Sequence, residues 1–171
     1  MGTHYQGTAE EVQALNTFIK LKRALSSVQT TLLGALSDNG LTENQFGILE
    51  ALYHLGPMCQ RALGSKLLSS GGNITMVVDN LEKRALVQRV RSVEDRRLIL
   101  VHLTEQGQEL IARIFPEHVQ RITEVFSILE PDEQAQLERL CRKLGHGLKV
   151  GTGANVPDGA EGTSTGPLVE R

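Results

Sequence analysis

Apolar residues recur at three- and four-residue spacing along most of this chain and at two-residue spacing over one short stretch, so the pattern predicts helices around a small β element. From Glu10 to Leu36, Val12, Leu15, Ile19, Leu25, Val28, Leu32 and Leu36 trace one stripe of a long amphipathic helix, with Gly40 beyond its end. Thr42 and Gln45 have the spacing of a capping box, and Leu41 and Phe46 that of a hydrophobic staple. The helix they open carries Phe46, Ile48, Leu49, Leu52, Tyr53 and Leu55 and stops at Gly56-Pro57. A short helix is predicted from about Met58 to Leu68. The small residues Ser69, Ser70, Gly71 and Gly72 then end one helix and start another. From Asn73 onward, Ile74, Val77, Val78, Leu81 and Ala85 fall on one buried stripe of that next helix.

After Leu86 the period changes from helical to alternating. Val87, Arg89 and Arg91 alternate with Gln88 and Val90, and Leu98, Leu100 and Leu103 with Ile99, Val101 and His102, which predicts two strands flanking a polar loop from Ser92 to Arg96. The loop tip holds Asp95, Arg96 and Arg97. Thr104 caps a longer helix with Leu110, Ile111, Ile114, Val119, Ile122 and Phe126 on its apolar side, and Pro116 is expected to kink it. Pro131 starts a final helix carrying Leu137, Leu140, Cys141, Leu144 and Leu148, with Cys141 expected in the core. The fold class is therefore mainly α with a small β-hairpin wing.

Two helices joined by a tight turn and followed at once by an arginine-tipped hairpin suit a reader of double-stranded DNA. The polar face of the second helix carries Asn73, Thr75, Met76, Asp79, Asn80 and Lys83. Asn and Thr can meet base edges, Met76 can touch a thymine methyl, and the helix start at Ser70 and Gly72 favours a phosphate. Arg96 and Arg97 would reach the adjacent minor groove, where negative potential concentrates. Asp95 is better suited to orienting a neighbouring arginine than to facing phosphate. The formal net charge of −2 hides an uneven distribution: from Met58 to Thr104 eight basic residues face four acidic ones.

These segments resemble the winged helix-turn-helix regulators named after the multiple antibiotic resistance repressor, the MarR family. The resemblance rests on LTENQFGILEAL from Leu41, NITMVVDNLEKRALVQR from Asn73, and Asp95-Arg96-Arg97 followed by Leu103-Thr104 and Gly107, and it covers about residues 10 to 150. It implies a homodimer in which the first helix and the last two interlock across a two-fold axis. It also implies a palindromic operator with half-sites about one helical turn (~34–36 Å) apart. Repression is the expected default, with activation by competition with other proteins as the alternative. The small-molecule pocket of such proteins lies between the dimer helices and the winged lobe, which here brings in Tyr53, His54, Phe115 and His118. FGILEALYHLG and IFPEH are similar to the branch responding to methylhydroquinone and related quinones or catechols, so the expected effector is a small aromatic one.

Two other functions are compatible with parts of the sequence. Peroxide-sensing relatives use a cysteine near the start of the first long helix, and this sequence has none there. Cys59, near a helix start and beside Arg61, sits in the electropositive kind of setting where reactive thiols occur, which leaves a thiol-based redox regulator as an alternative. A winged-helix module for protein contacts without DNA is the second alternative. The histidines show no ligand spacing for a metal, no cofactor is implied, and no catalytic constellation or phosphate loop is present, so an enzyme is not expected. No apolar run approaches the ~18 residues of a membrane span, and the start lacks a signal-peptide pattern, so a cytoplasmic location is expected. With 171 residues the chain divides into an N-terminal extension (1–9), a winged helix-turn-helix and dimerisation domain (10–150) and a Gly/Thr/Pro-rich tail (151–171) expected to be disordered. The DNA-binding lobe spans about 41–104.

Overall fold

Capping chemistry sets most of the helix boundaries in the structure, a computed structural model that describes residues 3–67 and 70–151. Helix α1 runs Ala9–Asp38 behind a capping box in which the Thr8 hydroxyl accepts from the Glu11 amide and the Glu11 carboxylate accepts from the Thr8 amide. It ends at Asn39, and Gly40 follows at φ +65°, a conformation glycine adopts without strain. Helix α2, Glu43–Leu55, has the Thr42–Gln45 capping box read from the sequence, and the stapling pair Leu41 and Phe46 is buried. Two residues that looked helical, Met58 and Cys59, instead form a short strand, β1, before helix α3, Gln60–Lys66. Pro57 cannot donate a helical hydrogen bond, and Met58 and Cys59 pair with Val101 and Leu100.

Helix α4 spans Gly71–Lys83 and buries Ile74, Val77, Val78 and Leu81. Ala85, expected on that stripe, is exposed at φ +54° past the end of the helix. The Leu86 amide bonds back to the Leu81 carbonyl at 3.0 Å, a helix-ending motif that places the residue before Leu86 in the left-handed region. Strands β2 (Val87–Arg91) and β3 (Ile99–Leu103) then form an antiparallel pair, with β3 central in the order β1-β3-β2. The register pairs Val87 with Leu103, Arg89 with Val101 and Arg91 with Ile99, so Arg89 shares a face with buried Val87 and Val101.

Helix α5, Glu105–Phe126, starts at Thr104, whose hydroxyl accepts from the Gly107 amide, and continues as one helix through Pro116. Ile111 and Ile114 are buried, whereas Val119 is exposed. The core gathers Leu36 of α1, the apolar faces of α2 and α4, Leu63 of α3, Val87 and Val101 of the sheet, and this side of α5. Gly107 lies where a side chain would run into the Leu86 carbonyl, which explains physically why the LTxxG segment needs glycine there.

The chain divides into two compact units, one ending at Ile128 and the other starting at Leu129. Helix α6, Pro131–Gly151, belongs to the second. Leu137, Leu140, Leu144 and Leu148 are exposed on it. Cys141, expected in the core, is exposed as well, because the apolar side of α6 on which it lies is itself open. The tail expected to be disordered lies, apart from Gly151 at the end of α6, outside the described residues. No described helix is long and apolar enough to cross a membrane.

Candidate nucleic-acid interface

With one side of α4 committed to the core, its other side is left to polar residues. Gly72, Thr75, Asn80 and Lys83 are exposed, Met76 is 58% exposed, and Asn73 is half-buried. Ser70 is the N-cap residue, but its side chain makes no capping bond, so the helix start does not use its hydroxyl. The Thr75 hydroxyl donates to the Gly71 carbonyl at 3.1 Å, which fixes its rotamer and leaves its oxygen lone pairs outward.

The wing tip is organised by one carboxylate. Asp95 Oδ1 accepts from the Arg97 amide at 3.0 Å and from Arg97 Nε at 3.1 Å, and Oδ2 accepts from Nη2 at 3.3 Å. The side-chain bond from Arg97, with its backbone bond in support, holds the Asp95 carboxyl below its ordinary pKa. The Arg97 side chain is nonetheless 91% exposed, and Arg96 beside it is exposed. Asp95 thus steers a guanidinium that still faces solvent. The loop is closed at its base by the Ser92 amide on the Leu98 carbonyl at 2.9 Å.

A clamp that pattern reading missed joins the wing to α4. Arg89 of β2 places Nη2 2.5 Å from Asp79 Oδ1 and Nη1 2.5 Å from Glu82 Oε2, while its amide donates to Glu82 Oε1 at 3.0 Å. Burial works against the charge of Arg89, but its bonds to Asp79 and Glu82 outweigh burial and raise its pKa. Asp79, assigned from the sequence to the DNA-facing polar side, is therefore occupied by Arg89. The signal was available in the alternation: a strand that buries Val87 must also turn Arg89 inward, and an inward arginine needs carboxylates.

The four residues named for a ligand pocket do not form one group. Tyr53 and His54 are ring neighbours (centroids 5.0 Å apart), and His54 meets Phe115 edge-on at 4.6 Å. His118 instead packs against Phe46, at 4.4 Å. Its Nδ1 is buried with no hydrogen-bond partner among the described residues. Burial is the main influence lowering its pKa, Glu50 pulls the other way, and Arg121 adds to the lowering. A cavity of ≈ 200 Å³ is lined by Tyr53 with Leu52, Pro57, His102, Leu103 and Gln108, and not by His54, Phe115 or His118. His102 and Gln108 were not singled out in the sequence. Cys59 is half-buried as the N-cap residue of α3.

Comparison with known proteins bears on this arrangement of exposed helix face, clamped wing and arginine tip. Residues 41–99, which hold α2 to the wing tip, match the MarR family. The chain is 39% identical to the uncharacterized HTH-type transcriptional regulator YkoM of Bacillus subtilis over 137 residues, 80% of this chain and 89% of that protein. It is 35% identical to the HTH-type transcriptional regulator MhqR of the same organism, over 80% of this chain and 94% of the other. Among solved structures, BpsR of Bordetella bronchiseptica, described as having its DNA binding regulated by 6-hydroxynicotinic acid, superposes with a TM-score of 0.69 at 26% identity, covering 75% of this chain and 98% of its own. The matched family segment is the one that builds the helix-turn-helix and wing, and the relatives extend the likeness over most of the chain: it belongs to the MarR family of transcriptional regulators.

Proposed function

We propose that the protein is a repressor that binds a palindromic operator as a homodimer and leaves it when a small phenolic or quinone-like ligand binds. The observation that carries the DNA reading is the clamp at Arg89, which joins the exposed polar face of α4 and the exposed Arg96–Arg97 tip into one unit. In this reading Ser70, Gly72, Asn73, Thr75, Met76, Asn80 and Lys83 meet the major groove and its phosphates. Arg96 and Arg97 enter the minor groove, with Asp95 orienting Arg97.

Dimerisation is supported by apolar surface that a single chain leaves open. Phe18, Leu21, Leu25 and Leu33 of α1 are 61%, 40%, 56% and 37% exposed, and Leu140, Leu144 and Leu148 of α6 are open too. Burying a fully exposed side chain of this kind is worth about 1.5–3 kcal/mol, and covering the half still open here about half of that each, so a second copy of the chain is the natural cover. The effector reading is supported by the ring-rich wall around Tyr53, His54 and Phe115, and by BpsR, whose regulator is a hydroxylated aromatic acid. A ligand releases DNA only if it binds better to a wing and helix spacing that does not fit the operator.

The salt dependence of binding to a duplex enriched from a random pool tests the DNA reading. Contacts to several phosphates give a steep loss of affinity with salt, whereas a winged-helix adaptor for proteins enriches no duplex. The thiol alternative is separated by Cys59→Ser: ligand-driven release persists in that variant under reducing conditions if a ligand acts, and oxidant-driven release disappears if Cys59 is the sensor.

A further inference from the structure

We propose that Arg84 is a positioning residue for DNA recognition: its bond to the Gly40 carbonyl sets the angle between α1 and α4, and with it the half-site spacing that the protein accepts. This rests on the reading above that a homodimer binds two half-sites. Arg84 is the C-cap residue of α4, and its Nη1 donates to the Gly40 carbonyl at 2.7 Å across 44 residues of sequence. Nη2 lies 3.8 Å from where a Cβ on Gly40 would stand, so the guanidinium lies along the turn that ends α1.

Both ends of this bond are fixed to a helix. Gly40 and Leu41 donate their amides back to the Ser37 and Leu36 carbonyls at 2.9 and 3.0 Å, which makes the Gly40 carbonyl part of the end of α1. Ala85 and Leu86 donate theirs to the Glu82 and Leu81 carbonyls at 2.9 and 3.0 Å, which holds Arg84 to the end of α4 in the same way. The charge suits the place. Carbonyls at a helix C-terminus carry partial negative charge, and the last turn of α1 ends in Asp38 and holds no basic residue, so Arg84 supplies the cation from another helix.

Packing does not fix the angle at this point. Open space lies beside the bond, in a cleft of ≈ 420 Å³ lined by Asn39 and Arg84 together with Gln106 and Arg113 of α5. The apolar core to which Leu36 and the α4 stripe both contribute attracts them without directional preference. The clamp at Arg89 joins α4 to the wing and leaves its angle to α1 untouched. In a homodimer closed through the open apolar side of α1, that angle enters twice by symmetry, so a small change in it alters the separation of the two α4 helices.

The test compares the affinity of the full chain for its enriched duplex with that for duplexes in which one half-site is moved by one base pair either way, a shift of ~3.4 Å and about 35°. The ratio of affinities within one variant cancels any uniform effect of the lost charge. Wild type is expected to discriminate against the shifted duplexes, and Arg84→Met to lose about tenfold of that discrimination. Arg84→Lys, which keeps a charged donor for the Gly40 carbonyl, is expected to recover most of it. Spin labels on Asn80→Cys in the two copies, in a chain with Cys59→Ser and Cys141→Ser, report the α4-to-α4 distance without DNA. Its distribution is expected to broaden in Arg84→Met. A wild-type ratio or a wild-type width in Arg84→Met, or a lysine variant no better than the methionine one, would overturn the proposal. Absence of an enriched duplex, or a wild type without spacing preference, would instead sink the palindromic reading, and the distance distribution would still decide on Arg84. No coupling between labels would remove the homodimer and the proposal together.

Discussion

Replacing Arg89 by alanine separates a rigid DNA reader from two loosely joined elements. The guanidinium bridges Asp79 and Glu82 at 2.5 Å each, with side chains 25%, 46% and 39% exposed for Arg89, Asp79 and Glu82. Water screens pairs this open, so each is worth about 0.3–1 kcal/mol, well below a buried pair. Adding the packing of the arginine stem brings the loss to about 1–2 kcal/mol, or a melting temperature lower by roughly 2–8 °C for a chain of this size. Removing one positive charge also leaves two carboxylates of α4 uncompensated beside the proposed phosphate path, which lowers operator affinity by about tenfold. Arg89→Lys restores the charge but offers no fork to span both carboxylates, so it should recover DNA affinity better than stability. Urea unfolding and fluorescence anisotropy on labelled duplex across a salt series measure the two effects. Wild-type unfolding midpoint and wild-type affinity in Arg89→Ala would refute the clamp.

Three further outcomes follow from local geometry. Gly107→Ala sets a methyl against the Leu86 carbonyl, 2.9 Å from its carbon, and 3.3 Å from Leu103 Cδ2, so the α5 start must shift; a loss of at least about 1–3 kcal/mol is expected by urea unfolding. Ala85→Gly relieves the positive φ of a non-glycine residue and should stabilise by about 0.5–1 kcal/mol in the same assay, with an unchanged or lower midpoint counting against the strain. His118 has a folded-state pKa below the usual imidazole value of about 6.5, so protonation favours unfolding. Its contribution is fully present above that value and is lost as pH falls from it toward the depressed folded pKa. Unfolding midpoints measured against pH should show this loss in the wild type and a flatter profile in His118→Leu; an equal slope in both would remove His118 as the cause.

Sequence periodicity located the helices well because each carries both an apolar stripe and a cap, as Thr42, Gln45, Leu41 and Phe46 do for α2. It failed where long-range pairing overrides local preference. Met58 and Cys59 have too few residues to show alternation, and only the edge of β3 makes them a strand. Ala85 sits at a spacing that fits the helix stripe, but the amide of Leu86 closes the helix two residues earlier. Cys141 looked internal because its neighbours are apolar, and apolar spacing does not say whether the cover lies in the same chain. At the candidate site, the exposed face of α4 and the arginine tip were legible from composition and order. The Arg89 clamp was legible in the alternation that turns Arg89 to the side of Val87, but the charged side chains were counted as solvent-facing and it was missed; the cleft lined by Tyr53, His102 and Gln108 was not legible, since it joins residues of α2, β3 and α5 that lie far apart in the sequence.

The most direct test of the central claim is a hydroxyl-radical footprint of the protein on duplex enriched from a random pool, with wild type and Arg96→Ala/Arg97→Ala compared. The account predicts two symmetric half-sites with centres about one helical turn (~34–36 Å) apart, flanking minor-groove protections, and loss of those protections with about 1–3 kcal/mol of affinity in the variant. Failure to enrich any duplex, or a footprint that the double variant leaves unchanged, would contradict it.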